Sequence, residues 1–240
     1  MRNEYPKISI VTVVYNGEET IEETILSVKN LSYSNVEYII IDGCSNDKTI
    51  EIIKKNNDVV SKFLSEPDSG IYDAMNKAVN LITGDWIYFL GADDLIYDCL
   101  GEIVPLLTKD TIVYGNVLYR KSNNKYGGKF NSFKLISKNI PHQALFYPAS
   151  VFEIYKFNLK YKLYADYYLN LQCWKDIKFK FKYVDIIVAN YNDTGASSLN
   201  IDKAFMDDQL NIFYKTMPVY LKPYIYIRKK MGKLFNYFYE

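Results

Sequence analysis

Predicted strands and helices alternate over the first 94 residues, and this alternation restricts the fold most. Residues 7–14, 36–41, 59–64 and 86–90 are rich in β-branched or bulky apolar side chains, and helical periodicity separates them. A strand–helix–strand repeat forms a parallel sheet, because each crossover brings the chain back to the same edge. We therefore predict an α/β fold whose mostly parallel sheet is flanked by helices.

After residue 94 the alternation is less regular. A helix is predicted over 95–107, strands over 111–120, 141–148 and 179–188, and another helix over 165–174. No internal repeat and no long linker interrupts the chain. We predict one domain over residues 1–200, with two parts that meet near residue 94, where the regular alternation ends.

Polar side chains follow the predicted parallel strands. Tyr15 follows the first strand, Asp42 ends the second, and Asp93 and Asp94 follow the fourth. The carboxyl ends of parallel strands meet at one edge of a sheet, where open α/β sheets bind ligands. Two adjacent acids repel each other, and a hard divalent cation, which prefers oxygen ligands, relieves that repulsion. The pattern predicts a metal–diphosphate site.

Composition and missing motifs exclude several other classes. Three cysteines and one histidine, widely spaced, indicate neither a disulfide framework nor a zinc or histidine-based metal centre. No G-x-G-x-x-G or Walker-type loop follows the first strand, which argues against dinucleotide and P-loop sites. The front half is acidic, so we expect no nucleic-acid ligand, whereas the back half is basic.

Taken together, the blocks at the strand ends resemble those of family 2 glycosyltransferases. The blocks are Ile8–Gly17, Ile41–Thr49, Asp68–Ala78 and Phe89–Asp94, followed by His142-Gln143, Ala165–Tyr167 and Gly195–Ser197. The resemblance covers residues 7 to 198. It implies the GT-A fold, which is Rossmann-like, and an inverting enzyme that uses a nucleotide sugar. It also implies that residues 1–94 are a nucleotide-binding half and residues 95–200 an acceptor-binding half.

The resemblance also implies residue roles. The nucleotide would be held by Thr12, Tyr15, Asp42, Asp68 and Asp93. Asp94 would coordinate Mn²⁺ or Mg²⁺ directly, with Asp93 at the metal or the ribose. Asp166 would be the catalytic base, and Asp73, His142 and Gln143 would contact the sugar or the acceptor. Gly195 and Ser197 would lie on a loop over the diphosphate.

One feature departs from the family pattern. The third block carries no arginine near the expected diphosphate, and Lys77, one helical turn beyond Asp73, is the substitute that the sequence offers. For Asp73 and Asp166, an ordinary helix-face or N-terminal-turn acid is the alternative interpretation.

Residues 201–240 are predicted to form a helical tail that interleaves aromatic and basic side chains. Such a tail either binds an anionic membrane surface or packs on the domain with its lysines in water, and the sequence leaves both open. No apolar signal region or membrane span is visible. We expect a cytoplasmic protein, peripheral at the inner face of the cell membrane if the tail binds lipid.

The predicted reaction is transfer of a sugar from a nucleotide sugar, a UDP-sugar by preference, to a hydroxyl of a glycan or lipid-linked acceptor in surface polysaccharide synthesis. The alternatives are a nucleotidyltransferase acting on sugar phosphates and a non-catalytic glycan-binding protein of the same fold. The acidic loop after Tyr15 disfavours the first, and the full set of acids disfavours the second.

Overall fold

The computed structural model describes residues 5–194 and 201–228, which form a mixed sheet flanked by helices. Its strands run in the order β3-β2-β1-β4-β8-β6-β9-β5, with β7 paired to β6. The strands are β1 Ile8–Val14, β2 Val36–Asp42, β3 Lys62–Ser65, β4 Trp86–Gly91, β5 Leu95–Ile96, β6 Thr111–Tyr119, β7 Lys125–Tyr126, β8 Leu145–Pro148 and β9 Lys180–Tyr191.

The front half is parallel, as the alternation predicted. Strand β1 pairs in parallel with β2 and β4, and β2 with β3. The back half is mixed, so the sheet is less parallel than predicted: β8 is antiparallel to β4 and β6, and β5 to β9, whereas β6 and β9 are parallel. The helix predicted over 95–107 was too long, because Leu95–Ile96 joins the sheet.

Helices cover both faces of this sheet. They are α1 Ile21–Lys29, α2 Thr49–Lys55, α3 Ile71–Val79, α4 Leu100–Ile103, α5 Ser132–Leu135, α6 Ser150–Ile154, α7 Ala165–Lys175 and α8 Lys203–Thr216. Alternate residues of β1 serve opposite faces: Ile8 and Ile10 pack in the cluster containing α1, and Val11 and Val13 in the cluster containing α3 and α7. Strands buried on both faces explain the continuous apolar runs of the sequence.

The described part of the predicted tail packs against the domain. Phe205, Phe213, Leu221 and Ile225 are buried members of the core cluster around α3 and α7. Residues 222–228 are helical, and the Tyr224 ring lies 4.2 Å from that of Phe133. Packing therefore continues past residue 200, the boundary that the sequence predicted.

Gly195 and Ser197 lie outside the described residues, as does the tail beyond 228. Within residues 5–194 and 201–228, no helix combines the length and the apolar character needed to cross a membrane.

Candidate active site

A cleft of about 1190 Å³ opens at the carboxyl edge of the parallel strands. Tyr15 and the Gly91–Asp94 turn, which follow β1 and β4, line one side. The other side is built by the back half, from the turn after Pro141, the start of α7 and the end of β9. The strand pattern thus predicted the edge of the sheet at which this cleft opens.

The two acids after β4 lie in this cleft. Asp94 is 1% exposed, and its carboxylate accepts hydrogen bonds from Gln143 Nε2 at 2.8 Å and the Asn192 amide at 2.7 Å. Asp93 is half-buried, and its Oδ2 accepts from Asn192 Nδ2 at 2.8 Å. Thr24 Oγ1 lies 2.9 Å from the Ala92 and Asp94 carbonyl oxygens and fixes the turn to α1.

This acid pair fits a hard divalent cation. Burial, together with the neighbouring Asp93 charge, raises the pKa of Asp94 to about 6, so the pair carries repulsion that a cation would relieve. Gly91 leaves space for the two carboxylates, since a Cβ there would lie 2.3 Å from Asp94 Oδ2 and 3.2 Å from Asp93 Oδ1.

No group of three or more His, Cys, Asp or Glu side chains suited to a metal occurs in the described part of the chain. Oxygens of a bound substrate and water would therefore have to complete the coordination. Asp93 is the more accessible of the two acids, and direct ligation by Asp94, our prediction, would use the carboxylate lone pairs that its bonds to Gln143 and Asn192 leave free.

Tyr15 is 62% exposed and lines the cleft, as a residue that stacks on a base or ribose must. The block at 45–49 holds its loop: Ser45 Oγ accepts from the Asn16 amide at 2.7 Å and Thr49 Oγ1 from the Gly17 amide at 2.8 Å. Ser45 and the residues up to Lys48 thus form a loop before α2, which begins at Thr49.

Asp68 also lines the cleft, and its Oδ1 accepts from the Gly70 amide at 2.8 Å. Its Oδ2 faces Gly43, where a Cβ would come within 2.6 Å. The Asp42-Gly43 turn and Asp68 are therefore close neighbours, which two separate sequence blocks could not reveal.

Three of the predicted site residues do not line the cleft. Thr12 is fully buried in β1, and its Oγ1 accepts from the Tyr38 hydroxyl at 3.0 Å. Asp42 is fully buried as well, and accepts hydrogen bonds from the Ser45 amide and from Ser65 Oγ, the latter at 2.6 Å. The nucleobase of a donor can therefore reach Asp42 only if this turn opens. Asp73 accepts from the Ser69 amide at 2.9 Å and stabilises the start of α3.

Asp166, the predicted base, is 5% exposed at the first turn of α7 and lines the cleft. Its Oδ1 lies 2.9 Å from the Tyr72 hydroxyl and 2.7 Å from the Tyr167 amide nitrogen. Its Oδ2 lies 3.0 Å from Asn139 Nδ2 and 3.3 Å from His142 Nδ1.

The 3₁₀ turn His142–Ala144 connects the two acidic centres. His142 contacts Asp166, and the next residue, Gln143, bonds Asp94. The Tyr88 hydroxyl fixes the turn by donating to the Gln143 carbonyl at 2.9 Å. The strand predicted over this stretch begins only at Leu145, because the preceding residues form this turn.

Cationic side chains of the cleft were missed from the sequence. Lys162 lines it and donates to the Ser69 carbonyl at 3.1 Å, and Arg228 lines it while donating to the Ile136 carbonyl at 2.9 Å. Lys77, the predicted substitute, pairs with Glu66 at 2.9 Å and is not among the cleft residues. No local pattern could have identified Lys162 or Arg228, because each reaches the cleft from a distant segment.

The back wall of the cleft is aromatic. It includes Tyr119, whose ring centre lies 5.4 Å from that of Tyr126 and 5.7 Å from that of Tyr191. Tyr167 and Phe205 stack at 5.1 Å on the side formed by α7 and α8. The tyrosine-rich back half of the sequence is thus partly explained by this wall.

Two relatives of this chain are named as glycosyltransferases. A relative in Mycobacterium bovis, a PGL/p-HBAD biosynthesis glycosyltransferase, is 34% identical over 212 residues, which are 84% of this chain and 83% of the relative. An uncharacterized glycosyltransferase of Haemophilus influenzae is 41% identical over 97 residues, 38% of each chain.

Solved structures share the fold at low sequence identity. Staphylococcus aureus TarS in complex with UDP-GlcNAc superimposes with a TM-score of 0.72 at 14% identity, over 91% of this chain and 69% of that one. The mannosyltransferase PcManGT of Pyrobaculum calidifontis, with GDP-Man and Mn²⁺, gives 0.67 at 13% identity, over 93% and 69%.

A third solved structure is glucosyl-3-phosphoglycerate synthase of Mycobacterium tuberculosis with Mn²⁺, UDP and phosphoglyceric acid. It gives a TM-score of 0.59 at 19% identity, over 85% of this chain and 78% of that one. The family model for glycosyl transferase family 2 matches residues 9–167, which include the acid pair, the connecting turn and Asp166. The chain therefore belongs to glycosyl transferase family 2.

Proposed function

We propose that this glycosyltransferase moves a sugar, with inversion, from a UDP-sugar to a hydroxyl of a glycan or lipid-linked acceptor in surface polysaccharide synthesis. The observation that carries the proposal is the His142–Ala144 turn, which connects a buried acid pair to a second buried acid within one cleft. Inverting transfer needs both centres, one at the departing diphosphate and one at the attacking hydroxyl.

The donor is assigned to the side formed by β1 and β4. Tyr15 offers an exposed ring for the base or ribose, and Asp68 lies beside it at the same edge. The UDP-GlcNAc complex of TarS and the UDP complex of glucosyl-3-phosphoglycerate synthase favour a uridine nucleotide, whereas GDP-Man in PcManGT keeps guanosine as the alternative.

Asp93 and Asp94 would hold the divalent cation. When bound, Mn²⁺ or Mg²⁺ offsets the negative charge that grows on the departing diphosphate. The protein's own contribution is to fix the two carboxylates, because Gln143, Asn192 and Thr24 restrain the side chains and backbone of the turn. Lys162, which replaces the missing arginine, adds positive charge to the same cleft.

The acceptor is assigned to the aromatic wall. Half-buried tyrosines such as Tyr119 and Tyr126 present ring faces against which the apolar face of a sugar can stack. Gln143 and Arg228 supply polar groups at this side. The proton of the attacking hydroxyl passes to the hydrogen-bonded cluster around Asp166, which includes His142.

Lipid-linked acceptors lie at a membrane, and the described part of the tail offers a surface for it. Val219 and Tyr220 are 75% and 74% exposed, and the back half of the chain is basic. We expect the double variant Val219→Ser/Tyr220→Ser to pellet less with anionic phosphatidylglycerol vesicles than the unaltered protein, and equal pelleting would argue against membrane binding.

The test of the donor and metal is a panel of UDP- and GDP-sugars with Mn²⁺ or Mg²⁺, scored by release of the nucleoside diphosphate. One donor should be hydrolysed or transferred far faster than the rest, and titration calorimetry should show much tighter UDP binding with Mn²⁺ than without it. Asp93→Asn and Asp94→Asn should each abolish the metal effect, while Asp207→Asn, an exposed acid on α8, should leave it unchanged. Equal UDP affinity with and without metal would refute the proposed donor site.

A further inference from the structure

Arg228 brings an exposed guanidinium to the acceptor side of the cleft. Its Nη1 donates to the Ile136 carbonyl at 2.9 Å and to Ser137 Oγ at 2.8 Å, which fixes the group against this segment. These two bonds use both hydrogens of Nη1. The Nε–H and an Nη2–H remain side by side on one edge of the planar guanidinium, and such an edge binds a carboxylate or phosphate through two parallel hydrogen bonds.

No described carboxylate neutralises this arginine. Within residues 5–194 and 201–228, Arg228 forms no ion pair, and its hydrogen bonds are those to Ile136 and Ser137. Arg120, by contrast, lies 3.8 Å from Glu23. A guanidinium stays charged throughout the physiological pH range, so one that lines a cleft without a carboxylate partner is suited to an anionic ligand.

Two lysines add positive charge to the same border of the cleft. Lys138 follows Ser137, and its Nζ lies 5.8 Å from the ring centre of Tyr126, which lines the cleft. Lys134 lies four residues earlier, and burial together with the Lys138 charge lowers the pKa of its ammonium group. The two like charges repel each other, so a negative group bound beside them would be stabilised.

The segment that holds Arg228 also contacts the predicted base. Asn139, two residues after Ser137, donates to Asp166 Oδ2 at 3.0 Å, and the Cα atoms of residues two apart lie at most about 7 Å from each other. Gln143, which bonds Asp94, comes four residues further on. An anion at Arg228 would therefore lie near the attacking hydroxyl and on the acceptor's side of the diphosphate, without touching the Asp166 carboxylate.

We propose that Arg228 selects an acceptor that carries an oxyanion, a carboxylate or a phosphate, about one sugar ring from the attacking hydroxyl. The inference rests on the proposed function and specifies the class of its acceptor. The carboxylate of a uronic acid in a glycan and the phosphate of a lipid-linked sugar share this chemistry. Arg228 is then a specificity-determining residue and takes no part in proton transfer.

Because the chain has only three arginines, the binding can be observed at the side chain itself. In a ¹H–¹⁵N spectrum of the arginine side chains, the Arg228 Nε–H signal is assigned by its loss in Arg228→Lys. In metal-free buffer, D-glucuronate or D-glucose 1-phosphate should shift this signal saturably, whereas methyl glucoside, which is neutral, should not. The anion that binds more tightly identifies the source of the oxyanion, a glycan carboxylate or a lipid-linked phosphate.

Arg120 supplies the control within the same spectrum. Equal shifts at Arg228 and Arg120 would mean that the anions only screen surface charge, and no shift at Arg228 would mean that it binds neither; both results overturn the inference. UDP with Mn²⁺ provides a further check. If it prevents glucuronate and glucose 1-phosphate from shifting the Arg228 signal, the arginine belongs to the donor diphosphate, and the inference is again overturned.

The kinetic arm uses the preferred nucleotide sugar and pairs of acceptors that differ only in the anionic group. Arg228→Gln should raise KM for the anionic acceptor about tenfold or more and change kcat less, because the contact is present before and during transfer. Arg228→Lys keeps the charge but not the paired N–H groups, so it should recover only part of the affinity. Arg120→Gln should change neither constant.

An equal rise in KM for the charged and the neutral member of a pair would make Arg228 a structural contact of the tail and overturn the inference. Failure of the proposed function is a separate result: the unaltered protein would hydrolyse or transfer no donor, while the arginine spectrum would still decide whether Arg228 binds the anion.

Discussion

Glu37 gives the prediction whose size follows most directly from the structure. Its side chain, 4% exposed, bridges the starts of three strands. Ser9 Oγ donates to it at 2.5 Å, Thr83 Oγ1 at 2.7 Å and the Gly84 amide at 3.1 Å, and Lys7 Nζ lies at 3.2 Å. Burial alone would raise the pKa of this carboxyl, but hydrogen bonds from Ser9, Thr83 and Lys7 outweigh it and lower the pKa to about 2.

A carboxyl whose pKa falls from 4.5 to about 2 on folding stabilises the folded state when it is ionised. At about 1.4 kcal/mol per pKa unit, the contribution is about 3 kcal/mol. It is fully present above the unfolded-state pKa and is lost as the pH falls from about 4.5 through about 2. At about pH 3 roughly 1.4 kcal/mol remains.

Glu37→Gln, a neutral side chain of the same shape, should therefore lower the free energy of unfolding by about 3 kcal/mol at neutral pH. The difference between the two proteins should narrow to about half at about pH 3. Urea denaturation followed by circular dichroism at both pH values measures it. Glu153→Gln, at an exposed position of α6, should change the free energy by less than about 0.5 kcal/mol. A Glu37→Gln loss below about 1 kcal/mol at neutral pH, or one that does not depend on pH, would refute the reasoning.

The acid pair and the thiols give the remaining predictions. Gly91→Ala places a Cβ within 2.3 Å of Asp94 Oδ2, so calorimetry should show Mn²⁺-dependent UDP binding weakened at least tenfold, with the melting temperature little changed. A variant that binds as the parent does would show that Asp94 tolerates displacement. Chelation with EDTA should stop transfer and added Mn²⁺ or Mg²⁺ should restore it, and full activity in EDTA would exclude a metal requirement. Of the thiols, exposed Cys44 should react quickly with Ellman's reagent, whereas buried Cys99 and Cys173 should react only in denaturant. Rapid reaction of all three thiols without denaturant would contradict the burial of Cys99 and Cys173.

Local sequence patterns correctly located the elements that carry the proposed donor side. Apolar runs ending at Tyr15 and Asp93 predicted buried parallel strands, and β1 and β4 lie where predicted and pair in parallel. The back half was harder, because short strands such as β5 and β8 are defined by their pairing partners rather than by periodicity. The predicted helix over 95–107 therefore misassigned Leu95–Ile96.

The candidate site residues also divide into those that the structure brings into the cleft and those that it does not. The sequence grouped Asp93, Asp94, His142 and Asp166 on chemical type and resemblance, and all four line one cleft. It also grouped Thr12 with them, although Thr12 is fully buried in β1. The sequence could not show this, because the burial of a strand residue depends on the elements that pack against its side of the sheet.

By itself, the sequence determined where the parallel strands and the helices between them lie along the chain. It also determined the sheet edge at which the polar strand ends meet, and membership of a glycosyltransferase family. Only the tertiary structure decided that His142 bonds Asp166, that Gln143 bonds Asp94, and that Arg228 returns to the cleft. The physical reason is that strand and helix periodicity reflects contacts near in sequence, whereas these side-chain contacts join segments 24 or more residues apart and exist only once the core has packed.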